Sequence, residues 1–426
     1  MTALLEGDNP AAQNPARMAT GMLMVFAAAL ILRLLYAGWM WSDDLRAFDG
    51  GDYRLYEIGA EDWLRTRAFE NSLFLVRPPG FSLLIALLGL RAEVVLLTNA
   101  ALGALTASLC IPLARQFRLG WGESLMAGAL MAAEPVSIVY SAYLGAEPLA
   151  NLLLLLALIL FIAAMRADRH AAIPWAVAAA ACLVASALVR PAAYLLWLIL
   201  TGWALLHFRA RWRAIVSYSI VCVLGIGAWM AHNGSVFGNP TFSTIGIYNL
   251  LYYRAASVES LGSGAAIEDT YTELSRRVEL RLGRDAAGVN PGTRHGHYAA
   301  TASLQSAMQA IAVDVFLAYP VVYLLTIPLG LFRTLILLHS PVIWLQVVAG
   351  AVNIALLALA ALGMWRRWRG ERALFWLALV VCAYFIGGTL LVQTSGIDTR
   401  ARTMLTPLLV TAAATWLGRG RWGETL

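Results

Sequence analysis

A few charged residues in an otherwise apolar chain stand where chemistry could be done. Asp49 and Asp52 flank Gly50-Gly51, where the backbone can turn tightly and hold two carboxylates at a surface. Spaced i, i+3, they point the same way if the segment is locally helical. Such a carboxylate could serve as general base for an acceptor hydroxyl, ligate a metal ion or sit solvated in an interhelical loop. Asp43 and Asp44, nearer the preceding apolar run, read as boundary residues. Glu147, in Gly145-Ala146-Glu147-Pro148, opens another apolar run. It either stabilises a helix N-terminus or is used, because an acid this close to hydrocarbon is costly unless paired or used. Arg77 and Arg190 both precede proline, in VRPPG and LVRPA. A cation on such a stiff, extended turn either snorkels to lipid headgroups or grips a phosphate through paired hydrogen bonds. Arg400 and Arg402 are weaker candidates for the same role.

The elements that must position these groups are membrane helices. The chain has 426 residues, 60% of them hydrophobic and only 13% charged, which excludes an ordinary soluble protein. Apolar runs place spans near 18–40, 94–114, 124–143, 149–165, 173–189, 192–208, 214–231, 341–363, 373–392 and 403–418. All the basic residues are arginine, and many sit in short loops between spans. Those loops share one side if the N-terminal tail, 1–17, is cytoplasmic. This parity puts two large segments, 41–93 and 233–340, on the outer side, with the short connections near 144–148, 190–191 and 393–402. Asp49, Asp52, Arg77, Glu147 and Arg190 therefore share one face. Residues 81–90 are too short to cross and suit a re-entrant or interfacial helix. Residues 315–338, interrupted by Pro320, Pro328 and Arg333, are expected to lie along or dip into the outer face. The first apolar run, Met18 to Met40, is too long for a signal peptide and is expected to remain as an anchor.

The second outer segment carries Tyr248, Asn249, Tyr252, Tyr253 and Arg254, then an amphipathic helix from about Glu268 to Leu282 and a Gly/Pro-rich loop. No soluble part of it reads as long enough to bury a core of its own. His295 and His297, inside the Gly-rich loop, form an HxH pair without nearby cysteine, a poor metal site. Cys110, Cys182, Cys222 and Cys382 each fall inside an apolar run and read as small buried residues. The net charge of +6 does not imply nucleic acid, since the arginines act as orientation signals. The chain has no phosphate-binding glycine loop, no GxSxG and no DxD, so machinery for a nucleotide diphosphate is missing. A transporter or lipid-linked sugar flippase is the rival reading. It would place ionisable residues near the midplane and show pseudo-symmetric halves, whereas Arg33 reads as the only charge well within a span.

Five motifs in order resemble one family: DYRLYEIGA, RPPGFSLLIALL, the acid-proline turn AEP, the LVRPA turn, and WMAHNGSVFGNPTFSTIGIYNLLYY. Together they resemble the GT-C class of membrane glycosyltransferases. The branch includes protein O-mannosyltransferases, the aminoarabinose transferase acting on lipid A, and rhizobial lipopolysaccharide galacturonosyltransferases. The resemblance implies an all-α polytopic protein with about 10–12 transmembrane helices and two large outer loops. A seven-span module, 18–232, would contain the first outer loop and C-terminal helices would fill 341–426. It implies an inverting glycosyltransferase in the bacterial inner membrane, its active site facing the periplasm. A sugar would pass from a polyprenyl-phosphate carrier to an envelope glycolipid, polysaccharide or protein. By position Asp52 matches the essential carboxylate, with Asp49 next, and Glu147 a second acid. Arg77, helped by Arg190, would hold the donor phosphate, and Tyr56, Tyr248, Asn249 and Tyr252 would belong to acceptor or donor loops. The class leaves a divalent metal open. His232-Asn233 stands where the family carries Arg-Asn, which puts a phosphate role there in doubt.

Overall fold

The computed structural model describes residues 15–42, 52–283, 301–338, 340, 342–367, 372–392 and 399–418. Asp43, Asp44, Asp49, His295 and His297 lie outside the described residues. The described chain is helical throughout, with no strand.

A first helix, α1 (Pro15–Ser42), is followed by three short ones in the first polar segment, α2 (Tyr53–Thr66), α3 (Leu73–Val76) and α4 (Gly80–Leu87). Then come α5 (Ala92–Gln116), α6 (Trp121–Ala133), α7 (Pro135–Ser141), α8 (Glu147–Arg166), α9 (Arg169–Val189), α10 (Leu196–His207) and α11 (Trp212–Phe237). The second polar segment holds α12 (Ile245–Asn249), α13 (Ala256–Ser263), α14 (Ile267–Arg281), α15 (Ala302–Ala318) and α16 (Pro320–Leu335). The chain closes with α17 (Ile343–Arg367), α18 (Arg372–Val392) and α19 (Thr406–Leu417). Among the described residues seven helices are long and apolar enough to cross a membrane, or up to nine spans if each bent pair counts as one. Pro191–His207 and Thr406–Leu417 are shorter apolar helices.

Proline decides where the bends fall. The expected single span 124–143 is two helices meeting at 54°, because Pro135 forces Glu134 into an extended conformation. The stretch from 315 to 338 is likewise divided, α15 and α16 meeting at 102° with Pro320 opening the second. The short helix over 81–90 is present as α4, eight residues long and unable to span.

The bundle packs on small residues. Along α9, Ala172, Ala176 and Ala180 on one line and Ala179, Leu183 and Ala187 on another are buried, so α8 approaches closely. α8 is enclosed, with Leu154, Leu155, Leu158, Phe161 and Ile162 all buried. α1, α11, α16 and α17 instead expose leucine, isoleucine and valine outward, as lipid-facing helices do.

The second polar segment corrects an expectation. It does bury a core of its own, built from Tyr248, Leu251, Tyr252, Val258, Leu274, Val278, Met308, Ile311 and Val315. The run from α12 to α13, together with α14 and α15, suffices although each helix is of modest length, because each offers one apolar face to the others. The amphipathic helix expected near Glu268–Leu282 is α14, which holds Glu259 through Arg277 and Asp314 through Arg281.

Candidate active site

Five side chains from five separate segments meet at one end of the bundle. Asp52 precedes α2, at the position where an aspartate ordinarily caps the helix, yet its carboxylate makes no capping bond. It turns to two guanidinium groups instead. Arg77 Nη2 lies 2.6 Å from Oδ1 and Arg400 Nη1 lies 3.0 Å from Oδ2. Arg400 also donates from Nε to Glu147 Oε1, and Arg190 Nη1 donates to the same oxygen. The charges alternate along a line: Arg77, Asp52, Arg400, Glu147, Arg190.

The local sequence explains how each side chain arrives there. Arg77 (φ −119°, ψ 101°) and Arg190 (φ −136°, ψ 116°) are both extended, as a residue before proline must be. Gly80 brings the two turns together, for a Cβ there would strike the Leu188 carbonyl and the Val189 side chain. Asn99 Nδ2 donates to the carbonyl oxygens of Tyr143 (2.9 Å) and Gly145 (3.0 Å), bracing the turn before Glu147. The second polar segment is tied in as well. Ser243 Oγ donates to the Val76 carbonyl at 2.6 Å and the Thr244 N–H to the Leu75 carbonyl at 3.0 Å, just before Arg77. Tyr56 is buried, edge-on to Phe81, with the Arg77 guanidinium 5.5 Å from its ring centre.

Burial alone would push the Asp52 carboxyl up, but Arg77 and Arg400 outweigh it and hold the group below its ordinary value. Burial likewise opposes the Arg400 charge, and Glu147 and Asp52 outweigh that too. Glu147 is 1% exposed, and its Oε2 has no protein partner. It borders a small cavity of mixed lining, with Met131, Tyr140 and Pro148 beside Arg33, Ser141 and Asn151. The donor set suits an anion and does not fit a divalent metal. The two carboxylates already face three arginines, and among the described residues no three His, Cys, Asp or Glu gather.

Asp52, Arg77, Glu147, Arg190 and Tyr56 thus come together. Tyr248 and Tyr252 do not join them; both are fully buried inside the second core, with Tyr252 Oη 3.0 Å from Ser275 Oγ. Asn249 is half-buried at the end of α12. His232 bonds the Phe69 carbonyl and Asn233 the Thr241 carbonyl, so both brace loops.

Sequence reasoning underrated three residues. Arg400 is the central link of the line. Glu134 and Arg402, both sealed from solvent, are paired at 2.8 Å deeper in the protein. Arg33 is therefore not the only charge within the bundle. The signal for Glu134 was present, since Ala133-Glu134-Pro135 repeats the Ala146-Glu147-Pro148 turn.

No known protein family and no curated protein matches the chain. Among solved structures it is similar to ArnT from Cupriavidus metallidurans in the apo state. The match has 14% identity and a TM-score of 0.35, and covers 86% of this chain and 73% of that one. A likeness so loose carries nothing about activity.

Proposed function

We propose that the protein is an inverting glycosyltransferase of the GT-C class. It would move a sugar from a polyprenyl-phosphate carrier to an envelope glycolipid, polysaccharide or protein at the outer face of the bacterial inner membrane. The observation that carries this reading is the alternating line of three arginines and two carboxylates. It has one positive charge to spare, at the end of a bundle whose neighbouring helices face lipid. A phosphodiester carries one negative charge, so such a donor would neutralise the site.

The same line gives a mechanism. In the free protein Asp52 occupies hydrogen bonds that a phosphate can take over, because bidentate arginines suit either oxyanion. Donor binding draws Arg77 and Arg400 toward the phosphate and releases Asp52, whose basicity then rises. Asp52 accepts the proton of the acceptor hydroxyl as its oxygen attacks the anomeric carbon from the face opposite the phosphate. The bond from that carbon to the phosphate oxygen breaks, and the electron pair leaves with the phosphate, where the arginines stabilise it. Glu147 holds Arg400 and Arg190 in place. No nucleotide site is needed, as the leaving group arrives activated.

The test is a deletion strain whose envelope sugars are read by mass spectrometry, complemented with the wild-type gene or with Asp52→Asn. The expected result is loss of one sugar, restored by the wild type and not by Asp52→Asn. Full restoration by both Asp52→Asn and Asp49→Asn would remove the catalytic assignment.

A further inference from the structure

The turn that carries Arg400, Thr399–Met404, also carries Arg402, and the two side chains leave it in different directions. Arg400 goes to Asp52 and Glu147. Arg402 goes into the protein, where Nη2 donates to Glu134 Oε1 and to Asn353 Oδ1, each at 2.8 Å. Both groups at the far end are themselves fixed. Glu134 caps α7, accepting from the Val136 N–H at 3.3 Å and the Ser137 N–H at 2.6 Å. Asn353, in the middle of α17, donates from Nδ2 to the Ile336 carbonyl at 2.8 Å. The turn is also held at its start, where the Thr399 N–H donates to the Leu337 carbonyl at 3.0 Å.

A pair this deeply buried is a poor source of stability. Arg402 and Glu134 are 0% and 1% exposed, and taking two charges out of water costs about as much as their attraction returns. Arg402 Nε and Nη1 have no protein partner, which makes the arrangement costlier still. What the pair does supply is direction. It pins one turn between α7 and α17, and the residue two positions earlier on that turn is Arg400. The pin thus holds the turn of Arg400 through contacts that do not depend on Asp52, the carboxylate a phosphate displaces.

We infer that Arg402, Glu134 and Asn353 are positioning residues that aim Arg400 at the phosphate of the donor. This rests on the phosphate reading of the Asp52–Glu147 line, and the test separates the two.

The experiment measures binding of a polyprenyl monophosphate to the full chain in nanodiscs, by intrinsic tryptophan fluorescence, with thermal midpoints recorded alongside. Arg400→Ala should weaken binding about tenfold or more, the loss expected for charge-assisted bonds. Arg402→Lys and Glu134→Gln should each weaken it about three- to tenfold, since a displaced Arg400 keeps part of its attraction. Gln can still cap α7 through its amide oxygen, so the helix start survives. The double variant Glu134→Gln/Asn353→Asp returns a carboxylate to the same guanidinium and should restore most of the affinity. Leu154→Ala, in the packed middle of α8, serves as the control. It should lower the thermal midpoint and leave binding unchanged. Binding that depends on Arg400 yet is unmoved by Arg402→Lys and Glu134→Gln would overturn the positioning role alone. That role also falls if binding simply tracks the thermal midpoint across all variants. Binding indifferent to Arg77→Ala, Arg190→Ala and Arg400→Ala together would overturn the phosphate reading itself.

Discussion

Two Ala-Glu-Pro turns thirteen positions apart put the same tripeptide to different uses. In both, proline opens a helix and glutamate stands at its start. Glu134 caps its helix and pairs with a sealed arginine, Arg402, with buried Arg33 also in its field, whereas Glu147 pairs with two arginines that remain 22% and 30% exposed. A charge closed off from solvent together with its partners can only hold structure. A charge whose partners reach solvent can exchange them for a ligand. The contrast lies in the surroundings, because the tripeptide itself is identical.

The largest effects should separate the two sites by kind. Asp52→Asn and Glu147→Gln, in the open line, should each lower sugar transfer at least about a hundredfold while the protein still folds, the range for loss of a catalytic or charge-holding group. Glu134→Ala leaves Arg402 buried and unpaired and should cost about 3–5 kcal/mol of stability, seen as a lower thermal midpoint and poor yield. If Glu147→Gln unfolds the protein and Glu134→Ala is well folded, the distinction between open and sealed charges is wrong.

Gly80→Val probes how the open line is assembled. Its side chain would press on the Leu188 carbonyl and Val189. Overpacking of this sort costs about 1–3 kcal/mol and should also move Arg77 away from Asp52. The expected outcome is a modest fall in thermal midpoint with a disproportionate loss of transfer. Loss of stability with transfer intact would mean that the contact between the two proline turns is mere packing.

Much of this was legible in the sequence, and the failures have physical causes. Helix positions followed from apolar runs, since hydrocarbon leaves the backbone no other way to satisfy its hydrogen bonds. The shared face of Asp52, Arg77, Glu147 and Arg190 followed from arginine-bearing loops, and the structure brings those side chains together. Arg400 could not be ranked, because its role depends on a contact with Glu147, 253 positions away. Glu134 was hidden inside an apolar run long enough to span, which masked the break that Pro135 makes. The core of the second polar segment was missed because it is shared among helices from 245 to 318, none apolar enough alone.

Acidity offers a finer measure of the open line. Around Asp52 stand Arg77, Arg400 and Arg190, with Glu147 opposing them. Its folded value is depressed, so the ionised form persists below the ordinary carboxylate range and is lost only as pH falls through the depressed value. Its contribution to stability disappears over the same acid window. Arg400→Ala removes one of the cations, so the acid limb of the kcat/KM profile, which reports the free enzyme, should move upward. An unmoved limb would mean that the titrating group is elsewhere. Glu134→Gln should move it less, since Arg400 is displaced and not removed.

The smallest effect tests the boundary between the site and the second core. Tyr252 is fully buried and its hydroxyl sits 3.0 Å from Ser275 Oγ, inside the cluster that also holds Tyr248. Tyr252→Phe keeps the ring and its packing and removes the hydroxyl with its bond to Ser275. The expected cost is about 1 kcal/mol of stability, with transfer changed less than about twofold because the hydroxyl touches no reacting group. Tyr56→Phe is the informative partner, since its ring lies against Arg77. Should Tyr252→Phe abolish transfer while the thermal midpoint stays put, the second segment must open on binding and present its tyrosines to the ligand. The sealed and open regions would then exchange during the reaction.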